Sequence, residues 1–411
     1  MTMRLIDIAR LPLRYRPWRL KHAQLILRDA LALGSQPQKS HRDHLAAAID
    51  WLCHAQDVRD GQADAGGVSA GWSFEDGWLP SYPETSGYII ETFLAAAKLL
   101  DRPELVGRAR RIIDWELGLQ ASDGAFPGHF NEPGSRPVIF NTGQIMHGMV
   151  AGYTQLGRAD CLEAAVRAGH WLARHQDGDG CWRKFEFYDI PHTYNTRGTW
   201  ALLATARLAG DAVLESAAVR NLEWALAQQK DDAWFDNNAF AAGQHQFTHT
   251  IAYAMRGFLE SGLILNDERL IAAATKAGAA MAKAQHANGW LAGAYADGWV
   301  PVASYACLTG VAQMALNWLR MAQACGRDDM RPYAQRALGY LKRHHRLTDA
   351  DPIVRGAIAG SAPIWGRYAM FEYPNWAPKF FADALMIDAF DVAVPPELAR
   401  VPAPRAETAD V

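Results

Sequence analysis

The chain alternates between two kinds of apolar pattern. Segments such as 163–176 and 267–285 set apolar residues at helical spacing among charged ones, as a helix with one buried stripe does. Between such segments lie runs that are apolar or small almost without interruption: Ile89 to Leu100, Ile145 to Gly152, Thr199 to Leu208 and Ile251 to Leu259. A helix that is apolar all round is buried on every side. The alternation predicts an outer layer of amphipathic helices around an inner, enclosed layer.

The outer segments share an ending. An aromatic residue is followed five positions later by Gln in Trp51 to Gln56, Trp115 to Gln120, Trp171 to Gln176 and Trp224 to Gln229, and weaker copies run from Ala280 to Gln285 and from Tyr340 to His345. Six units at a period between 53 and 64 residues predict a repeat fold. After the Gln come Asp and Gly and then an aromatic, as in Gln120-Ala-Ser-Asp-Gly-Ala-Phe126, Gln176-Asp-Gly-Asp-Gly-Cys-Trp182 and Gln285-His-Ala-Asn-Gly-Trp290. Such residues end a helix and turn the chain back toward the core.

Each inner run opens on a short polar signature: Tyr82-Pro-Glu-Thr, Phe140-Asn-Thr, Tyr194-Asn-Thr-Arg, Phe247-Thr-His-Thr, Cys307-Leu-Thr and Tyr373-Pro-Asn-Trp. These are helix starts, whose side chains can satisfy free backbone N–H groups. Two helices per unit, six times over, predict an all-α (α/α)6 toroid, a double ring of six helical hairpins. We expect a basic arm and leading helix over 1–44, the toroid over 45–393, and a disordered proline-rich tail over 394–411.

Composition adds limits. With 41 Lys and Arg against 44 Asp and Glu, the net charge is −3, which argues against a general nucleic-acid partner. The five cysteines have no zinc-ligand spacing and read as reduced thiols, and no segment resembles a signal peptide or a membrane span, so a cytoplasmic location is expected. Arg4, Arg10, Arg14, Arg16, Arg19, Lys21 and Arg28 make the N-terminal arm basic and suit peripheral contact with anionic lipid, although a solvated arm packed on the ring explains them as well. Oligomeric state is left open.

The Gln-to-Gly-aromatic turns resemble the repeats of squalene cyclases and protein prenyltransferase β subunits. The ring resembles the toroids of polysaccharide lyases, uronyl epimerases and glycoside hydrolases. The resemblance runs from about residue 45 to 390 and implies the fold far more than the chemistry. It also implies that the inner-helix starts converge on one mouth. No DxDD array suits a terpenoid cyclase, and no Asp-x-Cys surrounds Cys307 as prenylation would need.

Carbohydrate chemistry at a uronate fits the residue types best. Arg197 would clamp the carboxylate, Asn141 or Asn195 would bond the enolate, His249 would be the base, and Tyr253 or Tyr194 the acid, in β-elimination or C5-epimerisation of an acidic glycan from a bacterial surface polysaccharide. Gln144, His192, Trp182, Arg367, Tyr373, Asn375, Trp376 and Lys379 are the further substrate contacts expected. Helix capping and core packing are the competing explanations for most of them. No cofactor or metal is expected. The main alternative is a glycoside hydrolase pairing Glu84 with a second acid from Glu91, Glu372, Asp189 or Asp236. A terpenoid cyclase and a ring that only binds glycan or protein stay open beside it.

Overall fold

In the computed structural model, which describes residues 13–130 and 135–394, the two apolar patterns become two concentric layers. After a leading helix α1 (Leu20–Ala30), the outer helices are α2 (His41–Asp57), α4 (Glu104–Leu119), α6 (Ala159–His175), α8 (Ala212–Leu226), α10 (Glu268–Ala284) and α12 (Arg331–His344). The inner helices are α3 (Pro83–Leu100), α5 (Ile139–Leu156), α7 (Thr196–Ala209), α9 (Thr248–Leu265), α11 (Leu308–Cys325) and α13 (Trp376–Phe390). Each inner helix packs on the next, and α13 packs back on α3, which closes the ring. Five hairpins are sequential pairs, α3 with α4 through α11 with α12. The sixth joins α13 to α2, from opposite ends of the chain. None of the described helices is long and apolar enough to cross a membrane.

The repeated Gln stitches neighbouring units together. Gln176 Nε2 donates to the carbonyls of Gly180, in its own turn, and Ala217, on the next outer helix, at 2.9 and 2.8 Å, and its Oε1 accepts from Arg220. Gln120 repeats this with Gly124, Ala164 and Arg167, and Gln285 with Tyr333 and Arg336. The turn glycines follow from the same seam. Gly124, Gly180 and Gly289 have φ of +99°, +92° and +89°, and a Cβ there would lie 2.0 to 2.4 Å from the carbonyl oxygen of Arg167, Arg220 or Arg336. In the sixth copy His345 stands in for Gln, with Nε2 3.0 Å from the Gly356 carbonyl and Nδ1 2.7 Å from His44 Nδ1 on α2. Replacing Gln176 by Ala removes its bonds to two carbonyls and a guanidinium, although Gly180 keeps Asn221 and Arg220 keeps Ser216. We expect about 1–3 kcal/mol of lost stability, read as a lower urea midpoint.

The inner ring is narrow because small residues let its helices touch. A Cβ on Gly257 of α9 would sit 2.2 Å from the carbonyl carbon of Thr196 on α7. The axis is accordingly filled, and its filling is ionic. Lys379 binds Asp383 at 2.6 Å, and Glu260 binds Arg256 at 2.9 Å and Arg320 at 2.8 Å. Arg256 also donates to the carbonyl of Val394, which is buried, so the ring extends one residue into the expected tail. The rest of that tail and the first part of the basic arm lie outside the described residues. All five cysteines are free thiols, as their spacing predicts.

Candidate active site

With the axis closed, open space is left where the inner helices begin. A cavity of about 450 Å3 lies there, built from five of the six units. Tyr82, Glu84, Thr85 and Tyr88 come from the start of α3, and Phe140 from α5. His249 and Tyr253 come from the start of α9, and Trp376 from that of α13. The loops ahead of the inner helices add His129, Phe187, Tyr188, Phe240, Gln244, Tyr368 and Glu372. Glu372 is brought in by a short antiparallel sheet in which Gly71–Ser73 pairs with Glu372–Pro374, in the register Trp72 to Tyr373. The walls are largely aromatic, and Tyr188 stands at the rim, 70% exposed.

Two carboxyl groups face this space. The Tyr82 hydroxyl donates to Glu84 Oε2 at 2.8 Å, and Asn141, with its amide oriented to satisfy both ends, donates to the same oxygen at 3.3 Å while accepting from His129 N. Burial pushes the Glu84 carboxyl up to about 7, against the opposing pull of the Tyr82 hydroxyl. Glu372 is also raised to about 7 by burial, with Arg14 opposing and Asp76 and Glu75 adding to it. The other candidate acids lie elsewhere. Glu91 belongs to the filled axis, 3.7 Å from His147, while Asp189 pairs with Arg136 and Asp236 with Lys230.

His249 Nδ1 donates to Gln313 Oε1 at 2.8 Å, which leaves Nε2 as the unprotonated nitrogen. Its ring lies 4.4 Å from Tyr253 and 5.2 Å from Tyr368. Burial lowers it to about 4, the Gln313 bond raising it and Arg197 lowering it further. Trp376 donates to the Tyr368 hydroxyl at 2.9 Å. Gln313 and Tyr368 therefore fix the pair that the helical spacing of His249 and Tyr253 suggests.

The remaining sequence candidates fall in three places. Arg197, Gln144 and Lys379 lie beneath the cavity. The Arg197 guanidinium donates to Gln144 Oε1 at 3.3 Å and sits on the rings of Trp200, Tyr253 and Phe380, at 5.1, 5.7 and 5.7 Å. Asn195, Tyr194, His192, Trp182, Tyr373 and Asn375 serve the scaffold instead. Asn195 donates to Glu186, His192 stacks on Tyr194 between the Phe187 and Ala239 carbonyls, and Trp182 donates to the Leu172 carbonyl. Asn375 ties the closing seam to Ser69 and Thr85, and Tyr373 is buried in strand pairing. None of the six lines the cavity. Arg367 is exposed in an adjoining depression of about 570 Å3 with His245, Tyr305 and Trp365; Gln244 borders both spaces.

The fold is the (α/α)6 toroid of the unsaturated glucuronyl hydrolases. The enzyme of that name from Bacillus sp. GL1, described as responsible for the degradation of glycosaminoglycan, superposes with a TM-score of 0.64 at 14% identity, over 87% of this chain and all of that one. The Streptococcus agalactiae enzyme gives 0.64 at 13% identity, over 86% and 92%. An unsaturated glucuronyl hydrolase specific for heparin gives 0.62 at 13% identity, over 86% and 98%. No family model and no curated protein sequence matches the chain.

Proposed function

We propose that the protein is a hydrolase of short acidic glycans, cleaving a terminal uronyl or unsaturated uronyl sugar held in the aromatic cavity. The observation that carries this reading is the pair Glu84 and Glu372, two carboxyls lining one cavity, each with a proton affinity raised by burial to near neutrality. Hydrolysis of a glycosidic bond needs one carboxylic acid to protonate the leaving oxygen and one carboxylate to activate water or attack. Glu84, engaged on one oxygen by Tyr82 and Asn141, suits the acid. Glu372 suits the base. The aromatic walls give flat faces to a sugar ring, and α3, α5, α9 and α13, whose first turns line the cavity, direct the positive ends of their dipoles at the bound anion. Further sugars would pass Gln244 toward Trp365 and Arg367.

The structural relatives favour the same choice, since those compared above are named hydrolases that act on unsaturated glucuronyl substrates. The lyase or epimerase expected from residue types gives way on two counts. The clamp, Arg197, lies under Tyr253 rather than in the cavity, and the base, His249, is held near 4, too weak to take a carbon-bound proton at neutral pH.

Purified protein is to be incubated with oligosaccharides ending in unsaturated uronyl, saturated uronyl or neutral sugars, following reducing ends and the unsaturated-uronate absorbance. Hydrolysis releases reducing ends without any rise in absorbance. A rise would sink the hydrolase reading and restore the lyase. With both carboxyls near 7, kcat/KM is expected to form a narrow bell centred near pH 7. The acid limb comes from protonating Glu372 and the alkaline limb from ionising Glu84 as pH rises through its pKa. Glu372→Gln should flatten the residual acid limb. The aromatic lining also suits a terpenoid protonated by Glu84, and cyclic products from a polyene without reducing ends would select that reading.

A further inference from the structure

Helix α1 is inside out. Its buried residues are His22, Leu25 and Asp29, whereas Leu20, Leu27 and the following Leu31 lie on the opposite side at 75%, 57% and 59% exposure. These three positions fall within about 40° of one another around the helix, with Gln24 on one flank and Ala23 and Ala30 on the other. The inner face explains the orientation. His22 Nδ1 donates to the Tyr15 carbonyl at 2.8 Å, and Asp29 accepts from Ile364 N at 3.0 Å, so polar anchors hold the leucines outward. Lys21 and Arg28 brace the sides through Asp351 and Asp349. Ahead of the helix, Trp18 and Leu13 are also more than 60% exposed.

A soluble protein seldom leaves a row of leucines and a tryptophan uncovered unless something binds there. The charge beside the row indicates what. Arg16 and Arg19 flank Trp18 and make no ion pair among the described residues, whereas the nearby acids Glu75, Asp349 and Asp351 are each engaged by Arg14, Arg28 or Lys21. Leucines on one helix face, a tryptophan at its edge and unpaired arginines next to them are the combination that lies in a lipid headgroup layer. We propose that α1 with its preceding turn docks the protein on an anionic lipid surface, the leucine row entering the interface and Arg16 and Arg19 meeting lipid phosphates. This surface is separate from the cavity and does not depend on the reaction performed there.

The test is flotation of the full-length protein with phosphatidylcholine vesicles, with and without phosphatidylglycerol. Wild type should float with the anionic vesicles and progressively less as salt is raised. Leu27→Glu/Leu31→Glu should cut the bound fraction at least about tenfold, because charge on the apolar face opposes insertion. Arg16→Gln and Arg19→Gln should each cost about fivefold, the effect of one basic residue at such a surface. Both pairs are surface changes, and unchanged circular dichroism would confirm the fold. Failure of wild type to float, equal binding to neutral vesicles, or a leucine variant that floats like wild type would each overturn the proposal. So would a concentration-dependent dimer that the leucine variant dissolves, which would assign the face to a second copy.

Discussion

Glu84→Gln is expected to lower kcat on a cleaved glycan by about 10²–10⁴-fold while leaving KM nearly unchanged, the range for removing a general acid. The amide has the shape of the carboxyl and can still accept from Tyr82 and Asn141, so the cavity should keep its form. What it cannot do is deliver a proton to the leaving oxygen. Reducing-end release at saturating substrate measures the effect. Tyr82→Phe provides the contrast, since it removes a donor to Glu84 and leaves the acid in place. A Glu84→Gln enzyme with wild-type kcat would exclude this carboxyl from the reaction.

The second large effect concerns the filled axis. Lys379 is buried, with Asp383 as its ion-pair partner at 2.6 Å, and the Thr92 hydroxyl holds the other oxygen of Asp383 at 2.7 Å. Burial pulls the Lys379 ammonium below the usual lysine range, and Asp383 opposes this most. Asp383→Ala strips the ammonium of that partner inside the protein, and a loss of about 3–5 kcal/mol is expected in urea unfolding. Lys379→Met/Asp383→Leu removes both charges at similar volume and should recover most of that loss. If the single and double variants unfold alike, the pair does not stabilise the ring as described.

The fold was legible because its repeat is written in hydrogen bonds that any copy must make. Gln120 and Gln176 each bond a turn carbonyl and the next outer helix, and Gln285 bonds the next outer helix, so residue type, spacing and following Gly recur together. The site was only partly legible, for the opposite reason. Glu84, Asn141, Asn195 and His249 each stand at an inner-helix start, within a residue or two of a Thr, and in sequence nothing separates a side chain that faces the cavity from one that serves the scaffold. Asn195 turns to Glu186 and Asn375 to Ser69, while Glu84 and His249 face open space. Tyr88 could have been found, since it stands three residues after Thr85 as Tyr253 does after Thr250. Gln313 and the placement of Glu372 follow from contacts distant in sequence. The loop that carries Glu372 has no periodicity to read, although its aromatics, Tyr368 among them, mark it as part of the mouth.

Because α13 pairs with α2, the first outer helix finds its hairpin partner only after the five sequential hairpins between them have been made. Five hairpins can form in order as they are made, but the apolar flank of α2 and the seam at Ser69, Thr85 and Thr92 must wait for Asn375 and Asp383. During synthesis the molecule is an open arc with two sticky ends, the state in which association between arcs competes with circularisation. Helix α13 is therefore the clasp that turns a linear array into a single closed particle.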